Sequence, residues 1–173
     1  MTATRYALFD TALGTCAIAW GERGIVRTFL PEPSADAVRA RLLRRLPGAT
    51  EATPPEDVQR VTADVARLLR GEPVDLTWVP LDDGAVPELH RRVYAAAREI
   101  PPGSTLTYGE IARRLGDVTL ARTVGEALGR NPFPIVVPCH RVLAAGGRTG
   151  GFSARGGTET KMQLLRIEGA VLL

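Results

Sequence analysis

The residue best able to do chemistry is a cysteine at the end of an apolar run, residues 135–137, which is predicted to form a buried strand. Cys139 follows Pro138 and is followed by His140 and Arg141. A thiol becomes a nucleophile only as the thiolate, so a reactive cysteine needs a base or a positive field nearby. His140 and Arg141 are residues of these two kinds. Cys139 is therefore a candidate nucleophile, and an inert buried cysteine is the alternative.

A carboxylate far along the chain is predicted to complete this site. In a helix predicted over residues 158–168, Glu168 follows Leu164 and Leu165 at helical spacing, so it lies at or beside the buried face. A buried carboxylate is costly unless it is paired, and His140 is a natural partner. We predict a relay in which Glu168 orients His140 and His140 draws the proton from Cys139. An exposed Glu168 is the alternative.

Two helices predicted just before the cysteine have the arrangement of a DNA-binding helix-turn-helix. Thr107 can cap a first helix over residues 108–115, which stops at Gly116. After a tight turn, a second helix is predicted over residues 120–129.

The second of these helices carries an unusual row of small residues. Ala121, Gly125 and Gly129 recur at helical spacing, beside a core row of larger residues. Each interior glycine costs a helix about 1 kcal/mol, so the row needs a reason. Close approach to a DNA groove is one reason, and tight packing against another helix is the other.

The first half of the chain contains no chemical motif and is predicted to form a small α/β module. It has an antiparallel meander of strands, two helices and one further strand; the strands are predicted over residues 6–10, 15–20, 25–30 and 74–79. The first helix is capped by Ser34. A charged segment bounded by proline and glycine, residues 80–84, is the best boundary. We therefore predict domains at 1–83 and 84–173.

Composition bears on three possibilities: nucleic-acid binding, a metal site and a membrane span. The chain has 173 residues and a net charge of +3, which permits nucleic-acid binding without requiring it. It has two cysteines, too few to form a metal site without clustered histidines. Because no apolar run could span a membrane and no signal region is present, we expect a cytoplasmic protein.

The motifs together resemble those of the O6-alkylguanine-DNA alkyltransferases. The resemblance rests on Pro138-Cys139-His140-Arg141-Val142 after Ile135-Val136-Val137, on Ala121-Arg122-Thr123-Val124-Gly125 and on Arg130-Asn131-Pro132. It extends to Tyr108-Gly109-Glu110-Ile111-Ala112 and to Leu164-Leu165-Arg166-Ile167-Glu168-Gly169. It covers the whole second half, whereas the first half is similar only loosely.

This resemblance implies an activity and a set of residue roles. Cys139 would take the alkyl group from O6 of guanine in one irreversible step, with His140 and Glu168 activating it and Asn131 bracing its turn. Arg122 would enter the duplex in place of the flipped base, and Tyr108 would help rotate the nucleotide and donate to guanine. The implied sites are catalytic (Cys139, His140, Glu168, Asn131), DNA-binding (Arg122, Tyr108, Thr107, Ala121, Gly125, Gly129, Arg130, Arg141) and substrate-pocket (Tyr108, Val142, Phe152, Ser153).

It also implies a fold and a partner. The fold class would be α/β plus α, with a ribonuclease-H-like N-terminal module that has an antiparallel sheet and a mainly helical C-terminal domain with a helix-turn-helix. The partner would be double-stranded DNA containing O6-alkylguanine. The protein would act as a monomer, with cooperation on DNA left open, and would need no cofactor, metal or membrane.

Two departures from the family pattern bear on the activity. Phe152 replaces a usual tyrosine in a loop over residues 150–160 that is about two residues longer than usual. Glu126 places a carboxylate on the glycine-rich helix. The altered loop leaves open a damage-sensing DNA-binding protein that transfers weakly or not at all. A cysteine hydrolase using Cys139 and His140 is a further alternative, but it would not explain the helix pair.

Overall fold

The computed structural model describes residues 3–147 and 157–170 and begins with a four-stranded sheet. Strands β1 (Arg5–Thr11), β2 (Gly14–Gly21) and β3 (Gly24–Phe29) form the predicted antiparallel meander. A short strand, β4 (Thr50–Glu51), joins the other edge of β1 in parallel, which gives the order β3-β2-β1-β4.

Two helices accompany this sheet. Helix α1 (Ala35–Arg45) begins where the Ser34 hydroxyl accepts a hydrogen bond from the Ala37 amide, as predicted, and it contacts β2. Helix α2 (Glu56–Leu69) contacts β1. Val38 and Leu42 of α1 lie fully buried against apolar side chains of the sheet. The burial of one face of the sheet and one stripe of each helix forms the core of this part of the chain.

The strand predicted over residues 74–79 is wrong, because this segment forms turns and irregular backbone. Its apolar residues Val74, Leu76 and Val79 are nevertheless buried. Backbone pairing occurs just afterwards, where the Ile25 amide donates to the Pro80 carbonyl at 2.9 Å. Alternate apolar residues are thus buried here without strand pairing.

The second half is mainly helical. Helices α3 (Glu88–Arg98), α4 (Tyr108–Arg114), α5 (Ala121–Gly129) and α6 (Thr158–Ile167) are joined by short connections, except for the segment between α5 and α6. The turn between α4 and α5 contains Gly116 at φ +92°, a conformation that favours glycine. Strands β5 (Leu106–Thr107) and β6 (Val142–Leu143) pair in parallel. This pair joins the start of α4 to the chain that follows Cys139.

The chain divides into two compact units. One contains Met1–Gly84 with Pro132–Val136, and the other contains Ala85–Asn131 with Val137–Leu173. The short inserted segment is held inside the first unit by Thr28 of β3, whose hydroxyl donates to the Pro134 carbonyl at 2.8 Å. The architecture is α/β, with a small, largely antiparallel sheet and six α-helices in the part of the chain that the structure describes. No helix in that part is long and apolar enough to cross a membrane.

Candidate active site

Cys139 lies in a buried 3₁₀ turn, Cys139–Arg141, rather than at the end of a strand. The strand predicted over residues 135–137 is wrong, because Ile135 has a φ of +76° within a turn. Positive φ is strongly disfavoured for a β-branched residue. Prolines at 132, 134 and 138 cannot donate ladder hydrogen bonds, which favours the turn over a strand. The thiol is thus carried by a tightly folded and strained segment.

The predicted pairing of His140 with Glu168 is present in the structure. His140 Nε2 lies 2.9 Å from Glu168 Oε2, and the two side chains are 1% and 3% exposed. The glutamate follows directly on α6 and lies at its buried face, as the spacing predicts.

Arg141 completes a buried network around the same carboxylate. Its Nε and one terminal nitrogen donate to the two Glu168 oxygens at 2.9 and 2.7 Å. Its other terminal nitrogen donates to the Ile100 carbonyl at 2.7 Å. Burial raises the pKa of Glu168, but hydrogen bonds from Arg141 and His140 outweigh it and lower the pKa to about 2. Glu168 is therefore ionised throughout the physiological pH range.

The hydrogen bond to Glu168 fixes which nitrogen of His140 can act as a base. Burial lowers the pKa of His140 and Glu168 opposes this shift, so the ring is neutral at pH 7. An ionised carboxylate only accepts, so Nε2 must carry the proton and Nδ1 must hold the free lone pair. Nδ1 is buried and has no hydrogen-bond partner among the described residues. It is suited to accept the proton of a thiol, directly or through water.

The Cys139 thiol is protonated at rest. It is 7% exposed, and burial raises its pKa above the usual value for cysteine. A hydrogen bond with the Asn131 side chain and the charge of Lys161 act in the opposite direction. The Asn131 amide also donates to the Val137 carbonyl at 2.9 Å, so one side chain contacts both the turn and the thiol. A thiol held in this state reacts only when its proton is removed.

The paired strands β5 and β6 bring the start of α4 to the site. In their register, Leu106 lies opposite Val142 and Thr107 lies opposite Leu143. Thr107 caps α4 in a capping box with Glu110, so its hydroxyl accepts from the Glu110 amide at 3.1 Å. Tyr108 follows as the first helical residue and Val142 is fully buried. The parallel bridge therefore sets the position of Tyr108 relative to the Cys139 turn.

Sequence reasoning missed Lys161. This residue is buried within α6, and its Nζ donates to the Val142 carbonyl at 2.7 Å. The same Nζ lies 5.8 Å from the centroid of the Tyr108 ring. The available signal was its position three and four residues before Leu164 and Leu165, on the apolar face of the helix.

The row of small residues on α5 faces open space. A Cβ atom placed on Gly125 or Gly129 would meet no described atom within 4 Å. Tight packing of these glycines against another helix is therefore wrong for the described part of the chain. On the opposite side, Val124 and Leu128 are buried as predicted. The structure leaves a smooth helical face available to another surface.

The side chains around this face divide into exposed and buried sets. Arg122 and Arg130 are exposed, Ala121 is half-buried, and Glu126 is exposed on the same helix. Arg141, for which the resemblance implies a DNA contact, is instead buried and bound to Glu168. The structure thus groups Arg141 with Cys139, His140 and Glu168. The predicted pocket residues Phe152 and Ser153 lie outside the described residues.

Comparison with known proteins gives a consistent assignment. The family model for the DNA-binding domain of 6-O-methylguanine DNA methyltransferase matches residues 88–170. The methylated-DNA–protein-cysteine methyltransferase of Methanothermobacter thermautotrophicus is 36% identical over 155 residues, which cover 90% of this chain and 80% of the relative. The enzyme of the same name from Methanopyrus kandleri is 45% identical over 130 residues, covering 73% and 93%.

A solved structure agrees over both halves of the chain. The crystal structure of Mycobacterium tuberculosis OGT in complex with DNA superposes with a TM-score of 0.76 at 30% sequence identity, covering 95% of this chain and 92% of that one. A buried cysteine, a neighbouring histidine and an open helical face thus occur in a chain that is similar to methylated-DNA–protein-cysteine methyltransferases over most of its length. The chain belongs to the methylated-DNA–protein-cysteine methyltransferase family.

Proposed function

We propose that the protein repairs DNA by transferring the alkyl group of O6-alkylguanine irreversibly to Cys139, in a single turnover. The observation that carries this proposal is the buried thiol beside a histidine whose Nδ1 is left free by the bond to Glu168. Membership of the family supports the same reaction. The second unit would bind DNA and carry out the transfer.

The reaction balances with the groups in this site. The proton of Cys139 passes to His140, and the thiolate sulfur attacks the alkyl carbon of the lesion. A sulfur–carbon bond forms while the carbon–O6 bond breaks, and guanine leaves with the electron pair. The leaving guanine takes up a proton, which the Tyr108 hydroxyl helps to supply. The product is S-alkylcysteine, which no group here can cleave, so each molecule reacts once.

DNA recognition is assigned to α4 and α5 as a helix-turn-helix. A base cannot be attacked inside the stack, so the lesion must be flipped out of the duplex. The open face at Ala121, Gly125 and Gly129 suits close approach to the minor groove, and the exposed Arg122 would fill the space of the flipped base. Thr107 and Arg130 lie at the ends of the two helices. The Mycobacterium tuberculosis relative was crystallised in complex with DNA, which supports a DNA partner for this chain.

The remaining proposals concern the setting of the reaction. The order β3-β2-β1-β4, with β4 parallel to β1, supports a ribonuclease-H-like first unit. Cys16 and Cys139 are both free thiols, which supports action in the reducing cytoplasm. We propose that the protein acts as a monomer. The damage-sensing alternative is not favoured, because this chain has both the cysteine and its activating pair.

A mass measurement tests the proposal. The protein is incubated with a duplex oligonucleotide that carries one O6-methylguanine, and the intact masses of protein and DNA are taken. We expect one methyl group added at Cys139 and unmodified guanine in the DNA. Binding with no change in mass would instead support a sensor, and repeated turnover would support a hydrolase.

Gly125→Ala should change stability and DNA affinity in opposite directions. A helical alanine is about 1 kcal/mol more favourable than glycine, and its methyl group meets no described atom, so Tm should rise by about 2–4 °C. The same methyl group would stand on the face that we assign to the groove, so the dissociation constant for duplex DNA should rise about tenfold. Calorimetry and fluorescence anisotropy measure the two effects. As a control, Gln163→Ala on α6 should leave DNA binding unchanged, and an unaltered affinity for Gly125→Ala would contradict the groove assignment.

Arg122→Ala should slow repair of duplex DNA but not reaction with the free base. If Arg122 replaces the flipped nucleotide in the stack, its loss should slow transfer from duplex roughly tenfold, equivalent to ~1.4 kcal/mol of the cost of unstacking. The rate with free O6-methylguanine should stay the same. Arg91→Ala removes an equal charge from the exposed surface of α3 and serves as the control. Equal slowing with both substrates would refute the role of Arg122 in flipping.

A further inference from the structure

Lys161 is a buried lysine for which the reaction just described has no use. It is the only lysine in the chain and is 1% exposed. Lysine is among the residues least often buried, since its aliphatic stem tolerates an apolar setting but its ammonium group does not. Burial of this one ammonium group needs a compensating interaction.

The contacts of Lys161 connect three parts of the site. Its Nζ donates to the Val142 carbonyl, at 2.7 Å, on the strand that follows the Cys139 turn. It also lies 5.8 Å from the centroid of the Tyr108 ring, within the range of a cation–π contact. Within residues 3–147 and 157–170, no carboxylate comes within ion-pairing distance of Nζ. The ammonium group thus has a carbonyl and a ring face as neighbours but lacks a counter-ion there.

Among the residues that the structure describes, the charges of the surrounding groups leave one candidate for that counter-ion. Arg141 and Glu168 neutralise each other through two hydrogen bonds, and His140 is neutral. With Cys139 as a thiol, the described residues of the site therefore carry one uncompensated positive charge, that of Lys161. Removal of the thiol proton leaves a negative Cys139 thiolate to balance the positive charge of Lys161. A buried charge is stabilised strongly when an opposite charge appears beside it.

We infer that Lys161 is a positioning residue whose ammonium group stabilises the Cys139 thiolate while it holds Val142 and the Tyr108 ring in place. This role rests on the proposed transfer to Cys139 and deepens it, because it assigns the charge that balances the nucleophile. His140 removes the proton, and Lys161 stabilises the anion that remains.

The titration behaviour of the two groups agrees with this geometry. Burial lowers the pKa of Lys161 to about 8, and the charge of Cys139 raises it in part. Burial raises the pKa of Cys139, and Lys161 and Asn131 lower it in part. Two interacting groups of this kind titrate as a pair, so a substitution of either residue should shift the pKa of the other.

The first test measures the pH dependence of Cys139 alkylation by iodoacetamide, with the modified cysteine identified by peptide mass. In Lys161→Met, the midpoint of the profile should rise by about one pH unit, so that the rate at neutral pH falls about tenfold. Arg166→Met removes an equal charge from the exposed side of α6 and should leave the profile unchanged. Lys161→Arg, which keeps the charge, should recover much of the rate. A profile for Lys161→Met that matches the wild type would overturn the inference.

The second test leaves Lys161 in place, so it decides the matter even if the methionine variant fails to fold. Protein labelled with ¹³C-lysine gives a single side-chain signal, because the chain has one lysine. Its titration midpoint should fall by about half a pH unit or more in Cys139→Ser, since the thiolate no longer stabilises the ammonium group. A midpoint that does not move would contradict the coupling.

These measurements separate the inference from the proposed function. Neither uses DNA, so coupled titration without methyl transfer from the oligonucleotide would refute the repair reaction alone. Methyl transfer by a protein whose Lys161 and Cys139 titrate independently would refute the inference alone.

Discussion

Cys139→Ala should lose all alkyl transfer and keep its affinity for duplex DNA. The side chain is buried and contributes nothing to the exposed face of α5, so its removal should leave recognition of the lesion intact. With no nucleophile, the flipped base can be bound but not repaired. Intact mass spectrometry with an O6-methylguanine duplex should show unmodified protein, while anisotropy should show wild-type binding. If the variant lost DNA binding as well as transfer, this would contradict our assignment of DNA binding to the exposed face of α5 and not to Cys139.

The other cysteine provides a matched control for this variant. Cys16 lies buried in β2 of the first unit, and burial raises its pKa to about 11. Cys16→Ala should therefore accept one methyl group per molecule, as the wild type does. A methyl group found on Cys16 of the wild-type protein would contradict the assignment of the reaction to Cys139.

Glu168→Gln should impair both folding and transfer. The substitution leaves the buried Arg141 without its counter-charge, and breaking a buried ion pair in this way costs about 3–5 kcal/mol. For a domain of this size the melting temperature should fall by on the order of 10 °C. The amide also no longer fixes Nε2 of His140 as the donor, so we expect transfer to slow by roughly 10²-fold. Calorimetry and single-turnover transfer below the melting transition measure the two effects.

A second carboxylate on the same helix supplies the control. Glu159 is exposed in the first turn of α6, so Glu159→Gln should change neither the melting temperature nor the transfer rate. A similar loss in this variant would show that net charge on α6, rather than the buried network, is responsible.

Acid stability provides an independent measure of the same network. The folded protein lowers the pKa of Glu168 from 4.5 to about 2, so the stabilisation is complete above the unfolded value and is lost as pH falls towards 2. Between about pH 5 and pH 2, the Tm of the wild type should therefore fall more steeply than the Tm of Glu168→Gln. If Tm fell equally with pH in the two proteins, ionised Glu168 would not be stabilising the folded state.

The pairing of His140 with Glu168 was predictable because it depends on local, periodic spacing in the sequence. Helical spacing after Leu164 and Leu165 places Glu168 at a buried face, and a buried carboxylate requires a partner. The antiparallel meander and the capped helices followed from alternation and from cap residues such as Ser34 and Thr107. In each case a few neighbouring residues determined the result.

Features that depend on long-range packing were not predictable from local pattern. The apolar residues 135–137 have the composition of a strand, yet the flanking prolines and the positive φ of Ile135 form a buried turn. Nothing local indicates that Pro132–Val136 joins the first unit, where Thr28 binds it. The resemblance implies a DNA contact for Arg141, whereas in the structure it neutralises Glu168.

The single lysine has a practical consequence for labelling the protein. Every other basic side chain that carries a full charge is an arginine, so Lys161 is the only side-chain amine available to acylating reagents. Because it is 1% exposed, an amine-reactive ester reaches it only when α6 detaches from the segment around Val142. The rate at which Lys161 is acylated therefore reports the free energy of that local opening, without any engineered probe.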